Sequence, residues 1–100
     1  MGLEIGQLVS SKAGRDWRRK YLVVELLDDN FVLVADGKTR KISKPKKKNI
    51  KHLVAHPVKA AEIAEAIKAK RKVTNQQIRM NLASLIAMTE KREEGSSNNG

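Results

Sequence analysis

Tyr21-Leu22-Val23-Val24-Glu25-Leu26-Leu27, then Asp28-Asp29-Asn30, then Phe31-Val32-Leu33-Val34-Ala35, then Asp36-Gly37, is the stretch that decides the fold of this 100-residue chain. Two runs rich in Val and Leu, separated by turn-forming acids and Asn, read as neighbouring strands. Asp36-Gly37 tolerates positive φ at both positions and predicts a tight hairpin. Both strands are apolar at both parities: Leu22, Val24 and Leu26 alternate with Tyr21 and Val23, and Val32 and Val34 with Phe31 and Leu33. A strand with one wet face alternates apolar with polar residues. The surplus therefore calls for a second layer covering part of the sheet's outer face.

Working outward, short β-branched runs at 6–10, 39–43 and 49–54 complete five expected strands of a small antiparallel barrel. Pro45 ends the fourth of these, so Lys46, Lys47 and Lys48 are expected to protrude on a loop rather than pair in the sheet. After His56-Pro57 the composition turns to Ala, Lys, Glu and Ile. Ile63 and Ile67, flanked by Ala60 and Ala64, share one face of an expected helix of about four turns. Lys68, Lys70, Arg71 and Lys72 crowd its end, where cations offset the macrodipole. Thr74 and Gln77 fit a capping box for a second helix, with Val73 and Ile78 as its hydrophobic staple. Ile78, Leu82, Leu85 and Ile86 form the apolar stripe, with Met88 beside it, so the helices are expected to form a hairpin packed on the barrel. The fold class is α+β: a barrel over 1–56, a helical hairpin over 57–94, and a Gly/Ser/Asn tail at 95–100 expected to be disordered.

Lys and Arg number 21 against 11 acids, a formal charge of +10 with a sequence pI near 10.2, which marks a binder of polyanions. Residues 1–56 hold 13 of the bases and 6 of the acids, so the N-terminal part carries the field. One cluster, Lys12, Arg15, Arg18, Arg19 and Lys20, surrounds Gly14 and Trp17 in the first loop, with Asp16 as its lone opposing charge. Arginine's planar fork engages phosphate oxygens in pairs, and an indole can stack on an unpaired base for about 1–3 kcal/mol. The alternative for Trp17 is to cap the barrel core. The second cluster, Lys38, Arg40, Lys41, Lys44, Lys46, Lys47, Lys48 and Lys51, contains no acid. Its plainer reading is a solubilising surface, which two such runs meeting on one barrel make less attractive.

Other chemistries find little support. The chain has no cysteine, which removes disulfides, thiol nucleophiles and thiolate zinc sites and is compatible with a reducing cytoplasm. His52 and His56 straddle a strand end without a companion carboxylate and are read as structural, so no metal is expected. Ser10 and Ser11 have no His–Asp arrangement in view, and no Gly-rich phosphate loop precedes a helix. Neither catalysis nor a cofactor is expected. Met1-Gly2-Leu3-Glu4-Ile5 shows neither a basic nor an apolar leader region, so no targeting signal is expected, and the longest apolar stretch, 21–27, is too short for a bilayer and contains Glu25. A cytoplasmic protein, monomeric when free and without a membrane partner, is expected.

Gly6-Gln7-Leu8-Val9-Ser10-Ser11-Lys12-Ala13-Gly14-Arg15-Asp16, followed by Tyr21-Leu22-Val23-Val24, resembles a KOW motif. With Val32-Leu33-Val34-Ala35-Asp36-Gly37 and Lys44-Pro45-Lys46-Lys47-Lys48, the chain is similar over about half its length to small bacterial KOW proteins. These are related to the archaeal and eukaryotic large-subunit ribosomal protein fourteen family. The resemblance implies an SH3-like barrel that binds RNA, often ribosomal RNA, through the loop around Gly14. Many KOW motifs carry a further glycine just before the second strand, where this chain reads Trp17-Arg18-Arg19-Lys20, so the loop's contacts are expected to differ there. The leading expectation is a ribosome-associated RNA binder. Its rivals are a protein-interaction module of the transcription or translation machinery, using the C-terminal helices, and a non-specific DNA binder, for which no recognition helix is evident.

Overall fold

The computed structural model describes residues 2–98 and, within the last helix, side chains as far as residue 90. Strands β1 (Gln7–Ser11), β2 (Lys20–Leu26), β3 (Phe31–Ala35), β4 (Lys46–Asn49) and β5 (Leu53–Lys59) precede helices α1 (Ala61–Lys68) and α2 (Asn75–Asn98). The strands form one antiparallel sheet in the order β4-β3-β2-β1-β5, curled into a small SH3-like barrel. The register slips between Val23 and Glu25 on β2 and between Gln7 and Val9 on β1. Such irregularities bend and twist a strand, which suits a sheet that must curl on itself. Of the tail expected at 95–100, the backbone of 95–98 continues α2, and 99–100 lie outside the described residues.

The two parities of β2 enter two cores. Tyr21 and Val23 join Val9, Val32, Val34 and Leu53 inside the barrel. Leu22 and Val24 join Leu8 and Ala35 on its outer face, covered by Ile63 and Ala66 of α1 and by Ile78, Leu82 and Leu85 of α2. Burying each large apolar side chain contributes about 1.5–3 kcal/mol, so the outer core is a major part of the fold's stability. The second layer inferred from the double-sided strands is thus the helical pair. The capping box also forms: Gln77 N–H donates to Thr74 Oγ1 at 3.1 Å and Thr74 N–H to Gln77 Oε1 at 2.9 Å. Val73 and Ile78 are both buried beside it.

Four expectations are corrected. No strand forms at 39–43, because Asp36 Oδ1 accepts the N–H groups of Lys38 and Arg40, while Asn75 Oδ1 of α2 takes that of Ile42. These local bonds occupy donors that a ladder needs. The strand starts after Pro45 instead, so Lys46, Lys47 and Lys48 lie in β4, paired with Val34, Leu33 and Val32, rather than on a protruding loop. The expected 49–54 strand is divided by a single 3-10 turn at Ile50–His52, and β5 continues through Pro57 to Lys59, opposite Gln7 and past the expected boundary at 56. The first helix is consequently eight residues long rather than about four turns.

Two backbone positions set how the helices sit. A Cβ on Gly37, which has φ +76°, would lie 2.4 Å from the Asn75 carbonyl oxygen, so only glycine lets this turn approach α2 so closely. At the end of α1, Lys70 takes φ +57°, with Lys70 N–H donating to Ile67 O at 3.0 Å and Arg71 N–H to Ala66 O at 2.8 Å. This is a Schellman ending in which lysine stands where glycine is usual. Denaturant titration of two variants should therefore give opposite signs. Gly37→Ala should lose about 2 kcal/mol or more, and Lys70→Gly should gain about 0.5–1 kcal/mol.

Candidate nucleic-acid interface

The loop between β1 and β2 is short and internally bonded. A 3-10 turn at Gly14–Asp16 is followed by Arg19 N–H donating to Asp16 O at 2.7 Å. Arg18 N–H to Ser11 O at 2.7 Å and Ser11 N–H to Arg19 O at 2.9 Å then close the base of the loop. Arg18 meets these demands in the left-handed region, at φ +69°. Glycine adopts that conformation freely, whereas an L side chain costs about 1–2 kcal/mol there. The arginine at this position is therefore held against the backbone's preference. Its guanidinium lies 4.2 Å from the centroid of the Trp17 ring. Trp17 itself is 59% exposed, so it does not cap the barrel core.

The second basic segment reaches this loop through the sheet. Lys46 and Lys48 sit opposite Val34 and Val32, whose side chains fill the barrel, while the intervening Lys47 has the other parity and lies 4.5 Å from the Phe31 ring. Both even-numbered ammonium groups donate to Asp16 Oδ2, Lys46 at 2.5 Å and Lys48 at 3.0 Å, and Lys48 also reaches Ser11 Oγ at 3.2 Å. The Lys48 side chain is only 11% exposed and that of Asp16 16%. The hydrogen bond from Lys46 leads in holding the Asp16 carboxyl down at about 2; partial burial opposes it and Lys48 assists. Beneath this group lies the buried Tyr21 hydroxyl, which has no hydrogen-bond partner among the described residues. Burial, followed by the charge of Asp16, pushes its pKa up.

The fold thus gathers part of the expected set. Gly14, Arg15, Lys46 and Lys48 line one open cleft with Asp16 and His52. Lys12 joins that side through its N–H bond to His52 O at 2.9 Å, and Lys51 is the residue before. Arg18, Arg19 and Lys20 face a second cleft with Lys38. Arg40, Lys41 and Lys44 line neither cleft and belong to the connection between β3 and β4 that is fastened to Asn75. Among the described residues the ion pairs are those of Lys46 and Lys48 with Asp16 and of Lys59 with Glu4, so most of the positive field is uncancelled. His56 pairs through Nε2 with Ser10 Oγ.

Sequence reasoning missed Arg79, which lines the second cleft from α2 while its Nη1 donates to Gly37 O at 2.7 Å. No local signal marks it, because its place depends on how closely Gly37 lets the helix approach. Asp16 was legible only as an isolated acid among bases, and its bridging role follows from the pairing of β3 with β4.

No protein-family model matches the chain. Over 51 residues it is 47% identical to large ribosomal subunit protein eL14 of Desulfurococcus amylolyticus, covering 51% of this chain and 53% of that protein. Over 57 residues it is 39% identical to eL14 of Hyperthermus butylicus, covering 57% and 58%. The chain thus spans little more than half the length of these archaeal relatives. It is 38% identical over 71 residues to "Putative ribosome-binding protein YbzG" of Bacillus subtilis, covering 71% of this chain and 96% of that protein.

The Asp16 bridge has a pH signature. A carboxylate whose folded-state pKa lies below its ordinary value of 3.8 contributes stability that is complete above that value and is lost as pH falls toward about 2. Asp16→Asn should therefore be less stable than the parent by about 1–2 kcal/mol at pH 7, allowing for solvent screening. Denaturant titrations from pH 7 to pH 2 should show the gap closing between about pH 4 and pH 2.

Proposed function

The chain belongs to the family of small bacterial eL14-like proteins that includes YbzG, and from that premise we propose that it is a non-catalytic, ribosome-associated RNA-binding protein. Its two basic segments grip phosphates of ribosomal RNA. The observation that carries this reading is the Asp16 bridge. Through it Lys46 and Lys48, 30 and 32 residues along the chain, lie against the loop that holds Lys12, Arg15, Arg18, Arg19 and Lys20. One carboxylate orders two ammonium groups and leaves the surrounding arginines unpaired, an arrangement suited to a polyanion.

The strained Arg18 supports the same reading. A side chain kept where glycine is easier points to a use for that side chain, and an arginine stacked on an exposed indole offers both a phosphate fork and a stacking surface. The protein-interaction alternative needs exposed Ile or Leu along the helical stripe. Ile78 and Leu85 are buried against the barrel, and Leu82 and Ile86 keep only their edges at the surface, so the stripe offers no broad apolar face to a protein partner. The DNA alternative shares the electrostatics, and competition between RNA and DNA of equal length separates the two. Among the described residues no helix is long and apolar enough to cross a membrane.

If about six phosphates are neutralised, affinity for ribosomal RNA should fall by about three decades between 50 and 200 mM salt. A nearly flat dependence would reject the phosphate grip. Arg18→Gly separates binding from folding. It relieves the left-handed backbone, so the melting temperature should hold or rise, while RNA affinity drops and the salt slope falls by about one.

A further inference from the structure

The cleft between the β1–β2 loop and α2 shares Arg18 and Arg19 with the phosphate grip, but its α2 wall has no role above, and its two walls differ in kind. Arg18, Arg19 and Lys38 bring positive charge on the barrel side, and Arg79 adds a guanidinium from the helix. Leu82, Ala83 and Ile86, spaced along one side of α2, supply an apolar strip opposite. The only acid in the lining is Asp36, whose Oδ1 already accepts the backbone N–H groups of Lys38 and Arg40. The cleft measures about 540 Å³, within the range that small-molecule sites occupy.

Cations on one wall and an apolar strip on the other match the two halves of a nucleotide. A duplex offers phosphates but keeps its bases stacked and out of reach, so the strip would go unused. Only an unpaired base, turned out of its helix, can use both walls at once. Arg79 spends one amino group on Gly37 O, and this bond fixes the guanidinium at the rim with further N–H groups to offer.

We propose that this cleft takes a single unpaired nucleotide of a structured RNA. Its phosphate lies on Arg18, Arg19 and Arg79, and its base lies on the Leu82–Ala83–Ile86 strip of α2. The proposal rests on the RNA-binding reading and deepens it: the helical layer that covers the barrel also forms one wall of the RNA site, and the preferred target carries a bulge or loop next to a stem.

The test compares two RNA hairpins of identical stem, one with a single unpaired nucleotide and one fully paired, by fluorescence anisotropy at 150 mM salt. The chain should bind the bulged hairpin about tenfold more tightly, in keeping with the burial of about 50 Å² of apolar surface between the base and the strip. Ala83 is exposed on the helix and outside both cores, and Glu and Gln are good helix formers, so substitution there leaves the fold intact. Ala83→Glu should abolish the preference while retaining most of the affinity for the paired hairpin, and Ala83→Gln should reduce the preference without reversing it. Equal affinity for the two hairpins, or a preference that survives Ala83→Glu, overturns the cleft and leaves the phosphate grip standing. Binding of neither hairpin overturns both.

Discussion

Four successive residues of β2, from Tyr21 to Val24, are buried, two inside the barrel and two beneath the helices. A strand in this situation cannot face water on either side, and that constraint organises the molecule. The barrel alone would leave Leu8, Leu22 and Val24 exposed, so α1 and α2 are part of the same fold and not an accessory to it. Their seating is set by close backbone approach. Gly37 lets the β3–β4 connection touch the first turn of α2, and Asn75 then fastens that connection through the Ile42 N–H. Lys38 of that connection and Arg79 of the helix are thereby carried to the cleft they share with Arg18 and Arg19.

Charge is arranged around the same framework. In an unfolded chain the two basic segments are independent, and their mutual repulsion opposes bringing them together. The fold meets that cost with one half-buried carboxylate placed between Lys46 and Lys48. Because β4 pairs with β3, these two ammonium groups are presented at alternate positions of a strand rather than on a wandering loop, which fixes their spacing. Lysine-rich β4 also lies at one end of the strand order, where charged side chains discourage pairing with another chain.

The large features were legible from residue types alone. Double-sided strands announced a covering layer, Thr74 and Gln77 announced the start of α2, and the KOW-like stretch announced the barrel. The errors share one physical origin, the destination of individual backbone donors. Asp36-Gly37 reads as a hairpin turn, yet the Asp36 carboxylate takes the Lys38 and Arg40 N–H groups and forestalls the ladder. Pro45 reads as the end of a strand, yet a residue without an N–H serves equally well just ahead of one. Pro57 lies within β5, which is an outer strand of the order, so its missing donor breaks no ladder there. At the interface, the basic residues could be named from sequence, but which of them meet could not. Asp16 and Arg79 acquire their positions only from strand pairing and helix docking.

The central claim is that one continuous positive surface, built from the first loop and β4, receives RNA. Amide chemical-shift mapping of the labelled protein during titration with a ribosomal RNA fragment tests it most directly. The account predicts the largest shifts at residues 12–20 and 46–51, continuing to the face of α2 that holds Arg79. Shifts concentrated on β5 and α1, with the first loop unmoved, would contradict it.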